Sequence, residues 1–287
     1  MITISKSGKY LASGQKTFMG FQADIIIWDF DKKELLHRLK LHKVLIQGLS
    51  FSYNELYLAS LGGQDDKRIV VWEVSSGKAL CGNSSGNEHV HQLRFYNKAD
   101  DMFITVQDNG VKIWKVDYIN KKITSTNITM GTLKRSIINC IVEANDLYTY
   151  CSSKSGDLME ISLEKLLFKR IGPVKTIFAQ GIICLTQLLN GDLIVGCGDG
   201  TIAKLNIQDM AIKAKSKVLG SVTSMALTAD GTSMFVGTSS SNVYFCDTDK
   251  LNPELRMTCH YDPINSVAFP KGYSDIFMTC SNIEIRI

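Results

Sequence analysis

The sequence predicts an all-β fold, a ring of about seven four-stranded sheets whose first and last members are incomplete. Three observations carry this expectation. The phrases ADIIIWDFDKKELLHRL (Ala23 to Leu39), KRIVVWEVSSGKALCG (Lys67 to Gly82) and NGVKIWKVDYINKKIT (Asn109 to Thr124) each set an apolar run against a tryptophan and then break into charge. GDLMEI, GTIAKL and NVYFC repeat the phrase with Ile161, Leu205 and Cys246 in place of Trp28, Trp72 and Trp114, and IEIRI stops at Ile287, one short of a further anchor at 288. The steps between anchors are 44, 42, 47, 44, 41 and 42 residues, and no long segment keeps a 3.6-residue apolar period that would compete as helix. Repeats of 40 to 45 residues carrying four strand-like segments are the signature of a propeller blade.

Each repeat supplies its strands in the same order. The first is alternating and apolar: IQGLSFS, VHQLRFY, IINCIVE, IICLTQL, VTSMALT and INSVAFP, with only ITIS in the first copy. The second ends in small residues: YLASGQ, YLASLGG, MFITVQ, YTYCSS, LIVGCG, MFVGTS and IFMTCS. The third carries the anchor, and the fourth, as in KELLHRLKL, is polar. Runs of four to seven β-branched and aromatic residues bounded by Gly, Asn, Asp and Ser read as strands. An isolated blade cannot bury either face, whereas stacked blades cover both, which explains IIIW and IVVW. The outer strand meets solvent at an edge and takes Lys, Glu and Arg. The blades are expected near 1–42, 43–88, 89–131, 132–174, 175–217, 218–260 and, in part, 261–287.

Composition narrows the function classes. With 45% hydrophobic and 21% charged residues, the chain is ordinary globular protein. A formal net charge of +4 lacks the basic stripe of a nucleic-acid binder. KAKSK (Lys213 to Lys217) and Lys32-Lys33 read as solvated turns. No apolar run approaches the length of a membrane helix, and the N-terminal stretch has no h-region of a secretory signal. The eight cysteines form no CxxC pair, and Cys151, Cys197 and Cys280 sit in apolar runs as small hydrophobes. The expectation is a reduced, intracellular chain that binds no nucleic acid, membrane or small-molecule substrate, and in which the sequons at Asn83 and Asn127 are chance.

These residues resemble the WD-repeat family of β-propellers. Trp28-Asp29 is the signature dipeptide, and Trp72-Glu73 and Trp114-Lys115 depart from it at the second position. The resemblance implies a hydrogen-bonded group of His, Ser or Thr, Asp and Trp, for which the second repeat supplies His42, Ser60, Asp66 and Trp72. Asp66, Asp108 and Asp199 each stand six residues before their anchors, Trp72, Trp114 and Leu205. His260 occupies the same place as His42. Where the tryptophan is lost, in the fourth to sixth repeats, packing alone is expected to hold the blade.

A narrower resemblance, to WD-repeat proteins associated with cilia and flagella, spans Ile2 to Ile287. It rests on SGKYLASGQKTFMGFQADIIIWDFDKKELLHRLKLHK, LYLASLGGQDDKRIVVWEV and TCHYDPINSVAFPKGYSDIFMTCSNIEIRI, above all on the insertion KTFMGFQ and on GGQDD. It implies a non-enzymatic structural component of motile cilia: a microtubule inner protein in the lumen of the axonemal doublet B-tubule, near the inner junction. Its partners would be tubulin and neighbouring inner proteins. Such proteins are about twice as long and fold as two propellers. The chain would then be a fragment whose last repeat begins the second ring; if it is complete, seven copies close with one outer strand missing.

The remaining motifs offer little competing chemistry. His89 and His91 in HVHQL are strand neighbours that could offer a metal pair, but no third ligand follows at zinc spacing. GGQDDK and GCGDGT do not match a phosphate loop and precede no helix. GCGDGT fits a hairpin in which Asp-Gly supplies positive φ angles. Asp65-Asp66 and Asp100-Asp101 fall in turns, where solvated residues are the simpler expectation than an acid–base dyad. No catalytic, cofactor or metal residue is assigned. The insertion Lys16 to Gln22 carries Phe18, Met19 and Phe21 in a connection too long for a turn. It is the candidate partner contact, with a plug folded over the first blade as the alternative. Two rival functions remain, a generic cytosolic WD-repeat adaptor and an enzyme with a central metal.

Overall fold

The computed structural model describes residues 1–174, 176–262, 265–268, 278–281 and 284–286. Parts of three expected segments lie outside these residues: 264, 269 and 270 of INSVAFP, 276 and 277 of IFMTCS, and 283 and 287 of IEIRI.

Alternation of side chains decides how the strands stack. In the strand Arg68–Glu73, Val70 and Trp72 enter one buried cluster while Ile69 and Val71 enter another. Successive side chains point to opposite faces, so this strand needs a sheet on either side of it. The chain provides them in sequence. The first sheet is β1 (Ile2–Ile4), β2 (Tyr10–Gly14), β3 (Gln22–Asp29) and β4 (Glu34–Lys43). The second is β5 (Ile46–Phe51), β6 (Tyr57–Gly62), β7 (Arg68–Glu73) and β8 (Ala79–Ser84), and the third β9 (Val90–Phe95), β10 (Met102–Gln107), β11 (Gly110–Asp117) and β12 (Lys122–Asn127). The fourth is β13 (Ile137–Val142), β14 (Tyr148–Ser153), β15 (Leu158–Ser162) and β16 (Leu167–Gly172). The fifth is β17 (Ile182–Gln187), β18 (Leu193–Cys197), β19 (Thr201–Leu205) and β20 (Ile212–Lys217). The sixth is β21 (Val222–Leu227), β22 (Ser233–Thr238), β23 (Asn242–Asp247) and β24 (Pro253–Thr258). Among the described residues the last sheet has three strands, β25 (Ser266–Ala268), β26 (Met278–Cys280) and β27 (Ile285–Arg286).

Neighbouring strands pair antiparallel throughout. The first sheet, expected to keep only a remnant of its first strand, has all four, with β1 cut to three residues. Five apolar clusters fill the spaces between consecutive sheets from the first to the sixth. Trp72 and Trp114 each face the preceding sheet and are buried; Trp28, in the first sheet, is half-buried. The first strands converge on an axial cavity of about 430 Å³, lined by Thr3, Ser50, Phe95, Ile141, Leu185 and Met225, one from each of six sheets. The sheets therefore radiate from a shared centre.

Polar ties supplement the packing. Near the axis, the Gln47 amide donates to the His91 carbonyl at 3.2 Å, and Cys140 N–H donates to Gln92 Oε1 at 2.6 Å. At the turns between first and second strands, acids clasp the preceding sheet. Glu55 accepts from Ser7 N–H at 2.5 Å, Asp100 from Asn54 N–H at 2.6 Å, and Asp146 from the N–H groups of Asn97 and Lys98, both at 2.7 Å. Asp100, expected as a solvated turn residue, is thus an inter-sheet acceptor, and its own carbonyl accepts from Tyr118 Oη at 2.5 Å.

The fourth sheet also departs from expectation, since packing does not act alone there. Glu160 on β15 is buried and accepts from Lys169 Nζ at 2.8 Å and from Arg170 Nε. Arg170 further donates to the carbonyls of Ile207, at 2.7 Å, and Gln208, in the turn between β19 and β20 of the fifth sheet. A carboxylate removed from water needs such partners.

Candidate functional site

Because strands alternate in direction, the starts of the first strands and the hairpins between second and third strands share one end of the ring. His42, Asp66, His89, His91, Asp108 and Asp199 collect at this end, whereas Asp100-Asp101 lies at the other.

His42 lies on β4 of the first sheet and reaches into the second. Its Nδ1 is 2.5 Å from Asp66 Oδ2 and its Nε2 is 2.7 Å from Ser60 Oγ, while Trp72 Nε1 donates to Ser60 Oγ at 2.8 Å. A neutral imidazole satisfies the whole chain: Trp72 donates to Ser60, Ser60 to His42 Nε2, and His42 Nδ1–H to the Asp66 carboxylate. Burial holds the His42 pKa below the ordinary histidine value, against the upward pull of Asp66. Both side chains of the His42–Asp66 pair are 1% exposed. The small residue in GGQDD has a steric reason: a Cβ on Gly62 would lie 2.0 Å from Asp66 Oδ2 and 2.8 Å from His42 Nδ1. His260, after β24, repeats the placement, with Nε2 2.7 Å from Thr279 Oγ1 and Nδ1 3.2 Å from Glu284 Oε1.

Asp108 and Asp199 share Asp66's offset but not its surroundings. The β6–β7 connection, residues 63–67, has room to fold Asp66 inward. Asp108 sits in a two-residue hairpin, with Gln107 paired to Gly110 and Asn109 at φ +69°. It bonds Ser136 Oγ at 2.5 Å and His91 Nε2 at 3.0 Å, and those two bonds hold its carboxyl below the usual range. Trp114 instead donates to Thr105 Oγ1 at 2.8 Å, as Trp28 does to Ser13 Oγ at 3.2 Å. Asp199 accepts from the N–H and hydroxyl of Thr201 at 3.0 and 2.9 Å. In that hairpin only Gly200 has positive φ, +83°, where a Cβ would meet Val218 O at 2.3 Å.

His89 packs on His91 with ring centroids 4.2 Å apart. Ligand atoms of His89, His91 and Asp108 all lie within 4.8 Å of one another. Sequence spacing did not reveal the third group because Asp108 follows His91 by 17 residues and returns only through the hairpin.

The insertion between β2 and β3 is fastened at its base. Thr17 N–H donates to Val44 O at 2.6 Å, and Val44 N–H to Phe21 O at 3.0 Å. Its tip turns at Gly20, φ +86°. Phe18, Met19 and Phe21 are 84, 83 and 66% exposed. The tip stands out in solvent rather than lying over the first blade.

A family model described as "WD domain, G-beta repeat" matches residues 33–73, the stretch from β4 to β7 that holds His42, Ser60, Asp66 and Trp72. Residues 33–73 are one WD repeat, set in a fold of the WD40 β-propeller type. The matched unit is offset from the sheet by one strand, so this repeat begins with the outer strand of the first blade and staples the first two blades together. Over its whole length the propeller chain is 45% identical to Cilia- and flagella-associated protein 52 of Chlamydomonas reinhardtii and 37% identical to the protein of that name in Homo sapiens. It spans about half the length of these curated relatives, 47% of each. Among solved structures, the Cps50 (Swd1) β-propeller domain of Myceliophteria thermophila superposes with a TM-score of 0.76 at 14% identity, covering 99% of this chain and 95% of that one. At that identity the likeness shows the fold.

Proposed function

We propose that this WD-repeat propeller is a non-enzymatic scaffold of motile cilia and flagella. In the finer form of the proposal it is a microtubule inner protein, held in the lumen of the doublet B-tubule near the inner junction by tubulin and neighbouring inner proteins. The observation that carries the reading is the match, along the entire chain, to cilia- and flagella-associated proteins of an alga and of mammals. The exposed Phe18, Met19 and Phe21 support it, since aromatic and Met side chains raised on a fastened loop suit burial against a partner.

Fractionation of motile axonemes carrying the tagged full-length protein tests the reading. A lumenal protein stays with the doublets after salt washing has stripped outer components. A diffuse cytosolic signal with no axonemal fraction refutes it and supports a general adaptor. Replacing Phe18, Met19 and Phe21 with serine tests the loop while keeping its backbone bonds: incorporation should drop while the melting temperature holds. Lower stability with normal incorporation would assign the loop to folding instead.

A further inference from the structure

His89, His91 and Asp108 bring two imidazoles and a carboxylate to one point at the start of the third sheet, outside the His42 network. We propose that they bind one divalent transition-metal ion of the zinc class, which pins the β10–β11 hairpin to the start of β9. The separation of 3.0 Å between His91 Nε2 and Asp108 Oδ1 matches two ligands that each lie about 2.0–2.2 Å from a shared zinc. His89 and His91 are two residues apart in extended chain, which turns both rings to one side. The carboxylate is already oriented: Ser136 Oγ holds it at 2.5 Å, and Asp108 N–H donates to the His89 carbonyl at 3.1 Å. Such outer partners fix a ligand before the ion arrives. The ion takes the place of the proton shared by His91 and Asp108, and water completes the coordination.

The donor set selects the class of ion. Two nitrogens and one oxygen suit zinc, cobalt, nickel or copper, whereas calcium and magnesium take oxygen throughout. Lys154 is the nearby opposing charge, and it is exposed and free to turn its ammonium into water. A bare structural His91–Asp108 bond gives no reason for the second ring. Among the described residues the His89 side chain makes no hydrogen bond, yet its ring lies tilted against that of His91, with centroids 4.2 Å apart. The hairpin meets the fourth sheet through the Asp108–Ser136 bridge, so the site would lock two blades at the same end as the aromatic loop.

Untagged full-length chain, stripped with chelator, is titrated with Zn²⁺ by calorimetry and with Co²⁺ by visible absorption. One equivalent should bind, with a Co²⁺ spectrum of low coordination number. His89→Ala and His91→Ala should each weaken binding by about tenfold or more, the scale seen when even outer partners are lost. His37→Ala, which removes a histidine of the first sheet, should leave it unchanged. Should His91→Ala fail to fold, His89→Ala decides, since no hydrogen bond is lost with that ring. Absence of saturable binding, or binding undiminished in His89→Ala, overturns the proposal.

Discussion

At the scale of single residues, Ser60 is the pivot of the His42 network. Ser60→Ala leaves Trp72 Nε1–H and His42 Nε2 buried without partners, a loss of about 2–4 kcal/mol from two unsatisfied groups. Ser13→Ala, beneath the half-buried Trp28, should cost less than about 1 kcal/mol, because water replaces the lost acceptor. Urea unfolding of both variants checks the contrast, and equal losses would mean the network adds nothing to packing. The same network sets a pH dependence. His42 has a folded pKa below its unfolded value, so the unfolded chain binds the extra proton first. The stability contributed by His42 therefore falls as pH drops below about 6.5 and levels off beneath the lowered folded value, with a slope from this one group of at most about 1.4 kcal/mol per pH unit. His89, also held low by burial, adds in the same direction, so His42→Gln should reduce the slope without abolishing it. These four network residues were legible in sequence because they lie within one forty-residue repeat. The His89, His91 and Asp108 grouping was not, because its third member depends on a hairpin length that the anchor offset hides.

At the scale of elements, strand order and the stacking of blades could be read from anchor spacing and apolar alternation. The clasps between blades could not, since an acid in a turn looks alike whether it faces water or a neighbour's amide. Asp146 is the clearest case. It sits at φ +62° and accepts from two backbone N–H groups of the preceding sheet. Asp146→Asn keeps a side chain that tolerates the left-handed region and one acceptor oxygen, so it should cost about 1 kcal/mol. Asp146→Ala loses both bonds and adds backbone strain, for about 2–3 kcal/mol in total. Chemical denaturation of the two variants separates acceptor from conformation. An alanine variant no worse than the asparagine one would show that the clasp carries no stability.

At the scale of the whole molecule, the blades are not equally covered. The clusters between consecutive sheets bury both faces of the second to fifth, whereas the first turns Ile2, Ile4 and Leu35 outward at 66, 54 and 50% exposure and the sixth Phe235, Leu255 and Met257 at 46, 52 and 57%. Less apolar area holds these two, so each should open before the sheets between them. The cysteines report the opening of the sixth directly. Cys259 is exposed and should react at once. Cys184 and Cys246 line the space between the fifth and sixth sheets, while Cys140, Cys151 and Cys197 lie in earlier interfaces. Burial pushes the thiols of Cys140, Cys184, Cys197 and Cys246 up to about 12, and that of Cys151 well above its ordinary value. None of them reacts, therefore, until its interface parts. Pulsed alkylation resolved by mass spectrometry should label Cys184 and Cys246 together, ahead of the other three. If Cys140 keeps pace with Cys246, the sheets open as one cooperative unit, and the uncovered face of the sixth makes no difference to the order of opening.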